Sequence, residues 1–176
     1  GLLVDPVPRV RRNAAFALGR LGLADATPLL LNRLIRETDA DVRAELALAL
    51  GRLRCAPARS SLRYLVRHGT LVERSQAITA LGHLGNPRDR ELLAEQLAGR
   101  ESELRRSAAG ALGRLGSLDA ARPLRARLAD PEPSVRAAVV AALGRLGARQ
   151  AAPELIARLP AETTAVAAAI VRALVR

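Results

Sequence analysis

The chain is short of almost everything that lends a protein ready chemistry. Its 176 residues include no Trp, no Met, no Lys, one Cys, two His, one Phe and one Tyr. A single cysteine excludes an internal disulfide framework and any multi-cysteine zinc site, and it fits a reducing, cytoplasmic setting. There is no HExxH, no GxSxG, no phosphate-cradling GxxxxGKS and no pair of carboxylates at a useful spacing. The histidines, His68 and His83, fall in different segments. No catalytic residue, no metal and no cofactor is therefore expected. Two aromatic rings are too few for a sheet protein, whose strands draw on aromatic and β-branched side chains. No apolar run is long enough to span a bilayer and no signal peptide is present, so no membrane partner is expected. Lacking Met, the chain has no start residue; it is expected to be a piece of a longer protein or to have lost a leader.

Ala, Leu and Val make up most of the 49% that is apolar, enough for a sizeable core. With so few rings, that core must form by close approach of helices through small residues. Every one of the 28 cations is Arg and the net charge is +11. Such a balance suits an acidic protein surface or nucleic acid. It equally matches the codon use of a GC-rich, bacterial genome.

A short run recurs: LGRLG at 18–22, LGRLR at 50–54, LGHLG at 81–85, LGRLG at 112–116 and LGRLG at 143–147. The first glycines, Gly19, Gly51, Gly82, Gly113 and Gly144, are 31 or 32 residues apart. Eight residues before each stands an Arg (11, 43, 74, 105, 136), and two before it an Ala (17, 49, 80, 111, 142). Eleven residues after it comes a Leu (30, 62, 93, 124, 155), and fifteen after it an aliphatic (34, 66, 97, 128, 159). A fixed period of this length is the mark of a stacked repeat, each unit too small to bury its own apolar face. The units run approximately 5–36, 37–68, 69–99, 100–129 and 130–160, with a partial copy at 161–176, all in one domain over 1–176.

Each unit reads as two helices. In the fifth, Glu132 caps a first helix with Pro133 at its first position. Apolar residues follow at the three-to-four spacing of a buried stripe, and Gly147 suits a left-handed C-cap. A second helix spans 151–159 until Pro160 stops it. Asp5-Pro6 and Asp130-Pro131 turn the chain into their units. The glycines are read as helix terminators, and Ser60 and Ser61 as caps. The third unit departs: Glu73 replaces an aliphatic and the Asp-Pro step is missing, so a weaker or differently angled junction is expected near 68–72.

VRRNAAFALGRLG at 10–22, LRRSAAGALGRLG at 104–116 and VRAAVVAALGRLG at 135–147 resemble HEAT repeats, and most closely the subtype named after phycobilisome lyases. The resemblance covers nearly the whole chain. It implies an all-α, right-handed α-solenoid of about five and a half hairpins, an armadillo-like superhelix with second helices lining its concave side. Functionally it implies an interaction module. The tetrapyrrole lyase or chaperone activity of the namesakes is carried by the name alone.

Two readings of the polar columns follow. Arg11, Arg43, Arg74, Arg105 and Arg136 lie at the edge of the buried stripe, where a structural ladder to carbonyls or to acids of the next unit is expected. The column Arg20, Arg52, His83, Arg114 and Arg145 sits in last helical turns, where cations complement the helix dipole. The side of the second helices opposite their buried columns, expected to form the Arg-rich concave face, carries Arg33, Arg36, Tyr64, Arg67, His68, Glu95, Gln96, Arg127 and Arg158, flanked by Arg63 and Arg125. Partner binding is expected at Arg33, Arg36, Tyr64, Arg67, His68, Arg127 and Arg158, with Tyr64, Leu65 and Arg67 as anchors. The partner is a protein or peptide, expected to be acidic. The alternative is duplex nucleic acid held by its backbone, because single-strand binders need aromatic platforms and that face offers only Tyr64. Self-association is a further expectation, through Val166, Ala169, Ile170, Ala173 and Leu174 of an open last helix.

Overall fold

In a computed structural model, residues 1–175 are described. Eleven α-helices account for most of them: α1 Pro8–Leu21, α2 Thr27–Arg36, α3 Ala40–Arg52, α4 Arg59–His68, α5 Leu71–Leu84, α6 Arg90–Leu97, α7 Ser102–Leu115, α8 Ala121–Arg125, α9 Pro133–Leu146, α10 Ala152–Arg158 and α11 Thr164–Leu174. No strand occurs among the described residues. The protein is an all-α solenoid of helical hairpins. It divides into two compact units, Gly1–Leu84 and Gly85–Arg176.

In the first unit the first helices α1, α3 and α5 pack side by side, with α2 against α3 and α4 against α5. In the second, α7, α9 and α11 repeat that arrangement, with α6 on α7 and α8 on α9. The leucine columns form the core of both. Leu30, Leu62, Leu93 and Leu124 are fully buried, and Leu34, Val66, Leu97, Leu128 and Leu155 nearly so. Each such side chain stabilises the fold by about 1.5–3 kcal/mol over leaving it in water. Leu159 is only half-buried.

The glycine and alanine columns meet. A Cβ on Gly19 or on Gly113 would stand 2.8 Å from Ala49 or Ala142 of the following first helix. Gly51 is still closer to Ala80, and Gly144 meets Ala173. These glycines therefore sit inside helices, where they let two backbones touch; they do not terminate them. Termination falls to the glycine three residues on: Gly22, Gly85, Gly116 and Gly147 all have φ between 61° and 73°. The second unit of the repeat pattern has Arg54 there, held at φ 52°. An L side chain in that region costs about 1–2 kcal/mol.

Before each second helix the chain makes a 3-10 turn (24–26, 56–58, 87–89, 118–120, 149–151). The turns displace some expected boundaries. α4 begins at Arg59 with no side-chain cap, so Ser60 and Ser61 cap nothing. α10 begins at Ala152 rather than 151. Nor does Glu132 cap α9 with its side chain; Asp130 does the local work, accepting the Glu132 N–H at 3.0 Å.

Glu73 is fully buried and shows why the third copy can dispense with an Asp-Pro step. Its carboxylate accepts the Thr70 N–H at 2.7 Å and the Thr70 hydroxyl at 2.8 Å, the return half of a capping box. It is also ion-paired with Arg43, in a contact that lacks hydrogen-bond geometry at Nε. The segment 68–72 lies inside the first unit, where α4 and α5 pack on one another.

α11 is also less open than its sequence suggests. Val166, Ala169 and Ile170 are buried, Ala173 covers Gly144, and the exposed apolar residues are Val171, Leu174 and Val175. The final Arg176 of that expected copy lies outside the described residues.

Candidate functional site

The cations divide according to whether an acid meets them. Arg11 donates from Nε and Nη2 to Glu37, both at 2.8 Å, and from Nη1 to the carbonyls of Asp5 and Pro6. Arg105 donates to Asp130 at 2.7 and 2.9 Å. Arg136 donates to Glu162 at 2.8–2.9 Å and to the carbonyls of Asp130 and Pro131. Arg43 meets Glu73, and Arg74 donates to the Val66 carbonyl at 3.2 Å. Arg11 and Arg105 are buried, and the other three are partly so. In each of these cases the guanidinium ties the start of its own helix to the turn or helix nearby, leaving little of itself for a ligand.

The hydrogen bond from Arg11 is the main reason the Glu37 carboxyl is held well below its ordinary value, at about 2. Burial opposes this, and the N–H groups of Asp39 and Thr38 and the Arg33 side chain assist. Burial likewise works against ionisation of Asp130, yet hydrogen bonds from Arg105 and the Glu132 N–H hold its carboxyl below the usual range.

Arg33 is drawn into this network: it donates to Glu37 at 2.8 Å, and its side chain is mostly covered. Arg158 stands 3.9 Å from Glu162, at the edge of the Arg136 pair. Arg127 is half-buried and follows the end of α8 rather than lying on it; its charge adds to the field that keeps Asp130 ionised. Arg125 is ion-paired with Glu154 of α10. Leu65 is buried and cannot serve as an anchor.

Four of the expected partner-binding residues are exposed: Arg36 on α2, and Tyr64, Arg67 and His68 on α4. The Tyr64 ring is 64% exposed and lies against His68, centroids 4.7 Å apart. Helical geometry places the two rings together, since residues four apart share a face. Neither Arg36 nor Arg67 has a carboxylate partner among the described residues. Tyr64 separates two open grooves. One, of about 390 Å³, runs between α2 and α4 past Leu34, Ile35, Ser61 and Leu65. The other, of about 610 Å³, is bounded by Pro57, Arg59, Arg63, Arg67 and His68. Ile35, 71% exposed, is an apolar neighbour that sequence reasoning passed over. Its signal was available: an isoleucine out of phase with the buried column at Leu30 and Leu34.

Sequence reasoning also passed over Phe16. It lies on the outward side of α1, 46% exposed, with the guanidinium carbons of Arg20 and Arg52 at 5.7 and 5.8 Å from its ring centre. Nearby, burial pushes the Glu45 carboxyl above its ordinary value, against the pull of Arg52 and Arg12.

Cys55 is buried. Among the described residues no group of three or more His, Cys, Asp or Glu could hold a metal ion, and no helix is long and apolar enough to cross a membrane.

With that geometry in hand, the chain can be set beside known proteins. No curated protein matches it in sequence. Among solved structures it is similar to phycocyanin lyase from Nostoc sp., determined as the complex of CpcE and CpcF, with a TM-score of 0.71 and 26% identity; the match covers 84% of this chain and 63% of that one. The chain thus spans under two thirds of that neighbour. An engineered protein matches 98% of this chain and 92% of its own at a TM-score of 0.65 and 20% identity. Human deoxyhypusine hydroxylase, determined with glycerol, matches 98% and 80% at 0.53 and 22%. These last two likenesses concern the fold alone. The family profile of HEAT repeats matches residues 1–45, 27–109 and 91–175, which leaves almost nothing of the chain outside it. The chain belongs to the HEAT-repeat family.

Proposed function

We propose that the chain is a non-enzymatic scaffold that binds an acidic protein or peptide on the second-helix face of its Gly1–Leu84 unit, around Tyr64. The observation that carries the reading is the exposed Tyr64, its ring tilted against that of His68 between a groove past Leu34 and Ile35 and a basic groove. A tyrosine held in place by a neighbour offers a large contact area at small entropic cost, and Tyr and Arg dominate binding hot spots. Arg36 and Arg67, free of acids, supply the charge complementarity that steers and orients an acidic partner. Further support comes from the Nostoc neighbour, whose structure is a complex of two proteins. The reading assigns no reaction to this chain. Arg33, Arg127 and Arg158 enter it as supports of the fold rather than as contacts.

The test is selection of peptides from a random library displayed on phage, using the whole chain as bait. Enrichment of sequences that combine Asp or Glu with a bulky apolar residue is expected, together with loss of their binding on Tyr64→Ala or Arg67→Glu. A selection that enriches nothing, or peptides that bind both variants as well as the parent, would refute it.

A further inference from the structure

The face of α1 that bears Phe16 has a composition its packing does not require. Arg9, Arg12, Phe16 and Arg20 follow one another at steps of three, four and four, so they form a single stripe along the helix, about 16 Å long. All four are exposed. Arg52 of α3 reaches over the same ring. Four guanidinium groups thus share one face with a single phenyl ring. The acid among them is Glu45, half-buried and 3.5 Å from Arg52. Arg9, Arg12 and Arg20 are ion-paired with no carboxylate among the described residues. The ring is one of two in the chain, and the core does not use it: α1 and α3 are joined through Gly19 and Ala49.

We infer that this face of the Gly1–Leu84 unit is a site for single-stranded nucleic acid, with Phe16 as a stacking platform and Arg9, Arg12 and Arg20 as phosphate contacts. A guanidinium held over a ring keeps its in-plane N–H groups free, in the fork that matches phosphate oxygens. Phe16 remains 46% exposed beside these cations, and stacking on a phenyl ring is sequence-tolerant, because every base has a face to offer it. Duplex bases are already stacked on one another, so a ring in the open selects for unpaired ones. The stripe is long enough for a few nucleotides. It lies on the first-helix layer, whereas Tyr64 lies on a second helix, so the two sites do not depend on each other.

The experiment is fluorescence anisotropy of the whole chain with labelled oligo(dT) of about 15 nucleotides, and with a duplex of the same length, over a salt series. Single strands are expected to bind with an affinity that falls as salt rises, and the duplex at least about tenfold more weakly. Phe16→Ala should cost roughly five- to a hundredfold, the range for one stacked base. Arg12→Glu with Arg20→Glu should weaken binding and flatten the salt slope, which reports the number of phosphates neutralised. Arg36→Glu with Arg67→Glu should leave single-strand affinity within about twofold of the parent. Phe16→Trp gives an independent readout, because the natural chain has no Trp: its emission should be quenched by oligo(dT) at the concentrations at which anisotropy rises. The proposal is overturned by no single-strand binding at low salt, by equal affinity for the duplex, by an affinity insensitive to Phe16→Ala in a folded variant, or by unquenched emission from the Phe16→Trp variant. Preference for polyglutamate over oligo(dT) would also overturn it, and would assign the stripe to an acidic protein.

Discussion

The second helices of both units carry cations, and the two sets meet acids differently. In the Gly85–Arg176 unit the cations picked out for binding stand beside acids: Arg158 near Glu162, Arg127 in the field of Asp130, and flanking Arg125 paired with Glu154. In the Gly1–Leu84 unit Arg33 is engaged in this way, by Glu37. Arg36, Arg67 and the Tyr64–His68 pair stand open. An arginine already bonded to a carboxylate offers a partner little, since the partner's acid must displace an equal one. Positive charge alone therefore does not distinguish the two faces; its pairing does. The comparison also narrows the candidate surface from a face running along every repeat to α2 and α4.

The same contrast can be pressed on stability, beginning with the contacts both units share. Gly51→Leu and Gly113→Leu put a side chain where the next helix backbone already stands. Each should destabilise its unit by about 3 kcal/mol or more, at or beyond the upper end for overpacking. Chemical denaturation would show whether one transition shifts or a second appears; an unchanged midpoint in either variant would remove the close helix contact from the account.

Loss of a buried acid comes next. Glu37→Gln in the first unit and Asp130→Asn in the second should each cost about 3 kcal/mol, because an arginine is left buried without its counter-charge. The effect depends on pH. The Glu37 carboxyl is held at about 2 in the folded chain against an ordinary 4.5, so its stabilisation is complete above pH about 4.5 and is lost as pH falls toward 2. Asp130 is shifted in the same direction. Melting curves taken from neutral to acid pH should therefore converge for parent and Glu37→Gln below that window. Curves that stay parallel would contradict the assignment.

The smallest effect is a gain. Arg54→Gly, at the one non-glycine residue with positive φ among the described residues, should raise stability by about 0.5–1 kcal/mol, the left-handed strain relieved less the entropy glycine loses. A thermal midpoint that falls would mean the Arg54 side chain makes a contact that matters.

What the sequence made legible was whatever repeats at a fixed offset. The Leu columns are periodic because burial is periodic, so Leu30, Leu62, Leu93 and Leu124 could be named from spacing alone. The acids of the Arg ladder keep a similar offset in three copies and break it in one. Glu37 and Glu162 lie 26 residues beyond their arginines and Asp130 lies 25 beyond, while Glu73 is 30 beyond Arg43 and sits within its own helix. Glu73 reads as a flaw in the third copy because it stands where the other copies have an aliphatic, although it performs the same electrostatic task. The glycines misled in another way. The two glycines that four of the five repeats carry look alike in sequence, but one needs a positive φ and the other needs the absence of a side chain, and only three-dimensional contact tells them apart. The candidate site was legible as a face. Which of its arginines were spent on acids was not, because pairing depends on side chains brought together from other repeats.

The measurement closest to the central claim is the affinity of a library-selected acidic peptide for two double variants. Arg36→Glu with Arg67→Glu reverses the open cations of the first unit, and Arg127→Glu with Arg158→Glu reverses the two nominated in the second. The account predicts that the first loses at least about a hundredfold and the second stays within about threefold. Equal losses, or a larger loss from the second pair, would contradict it.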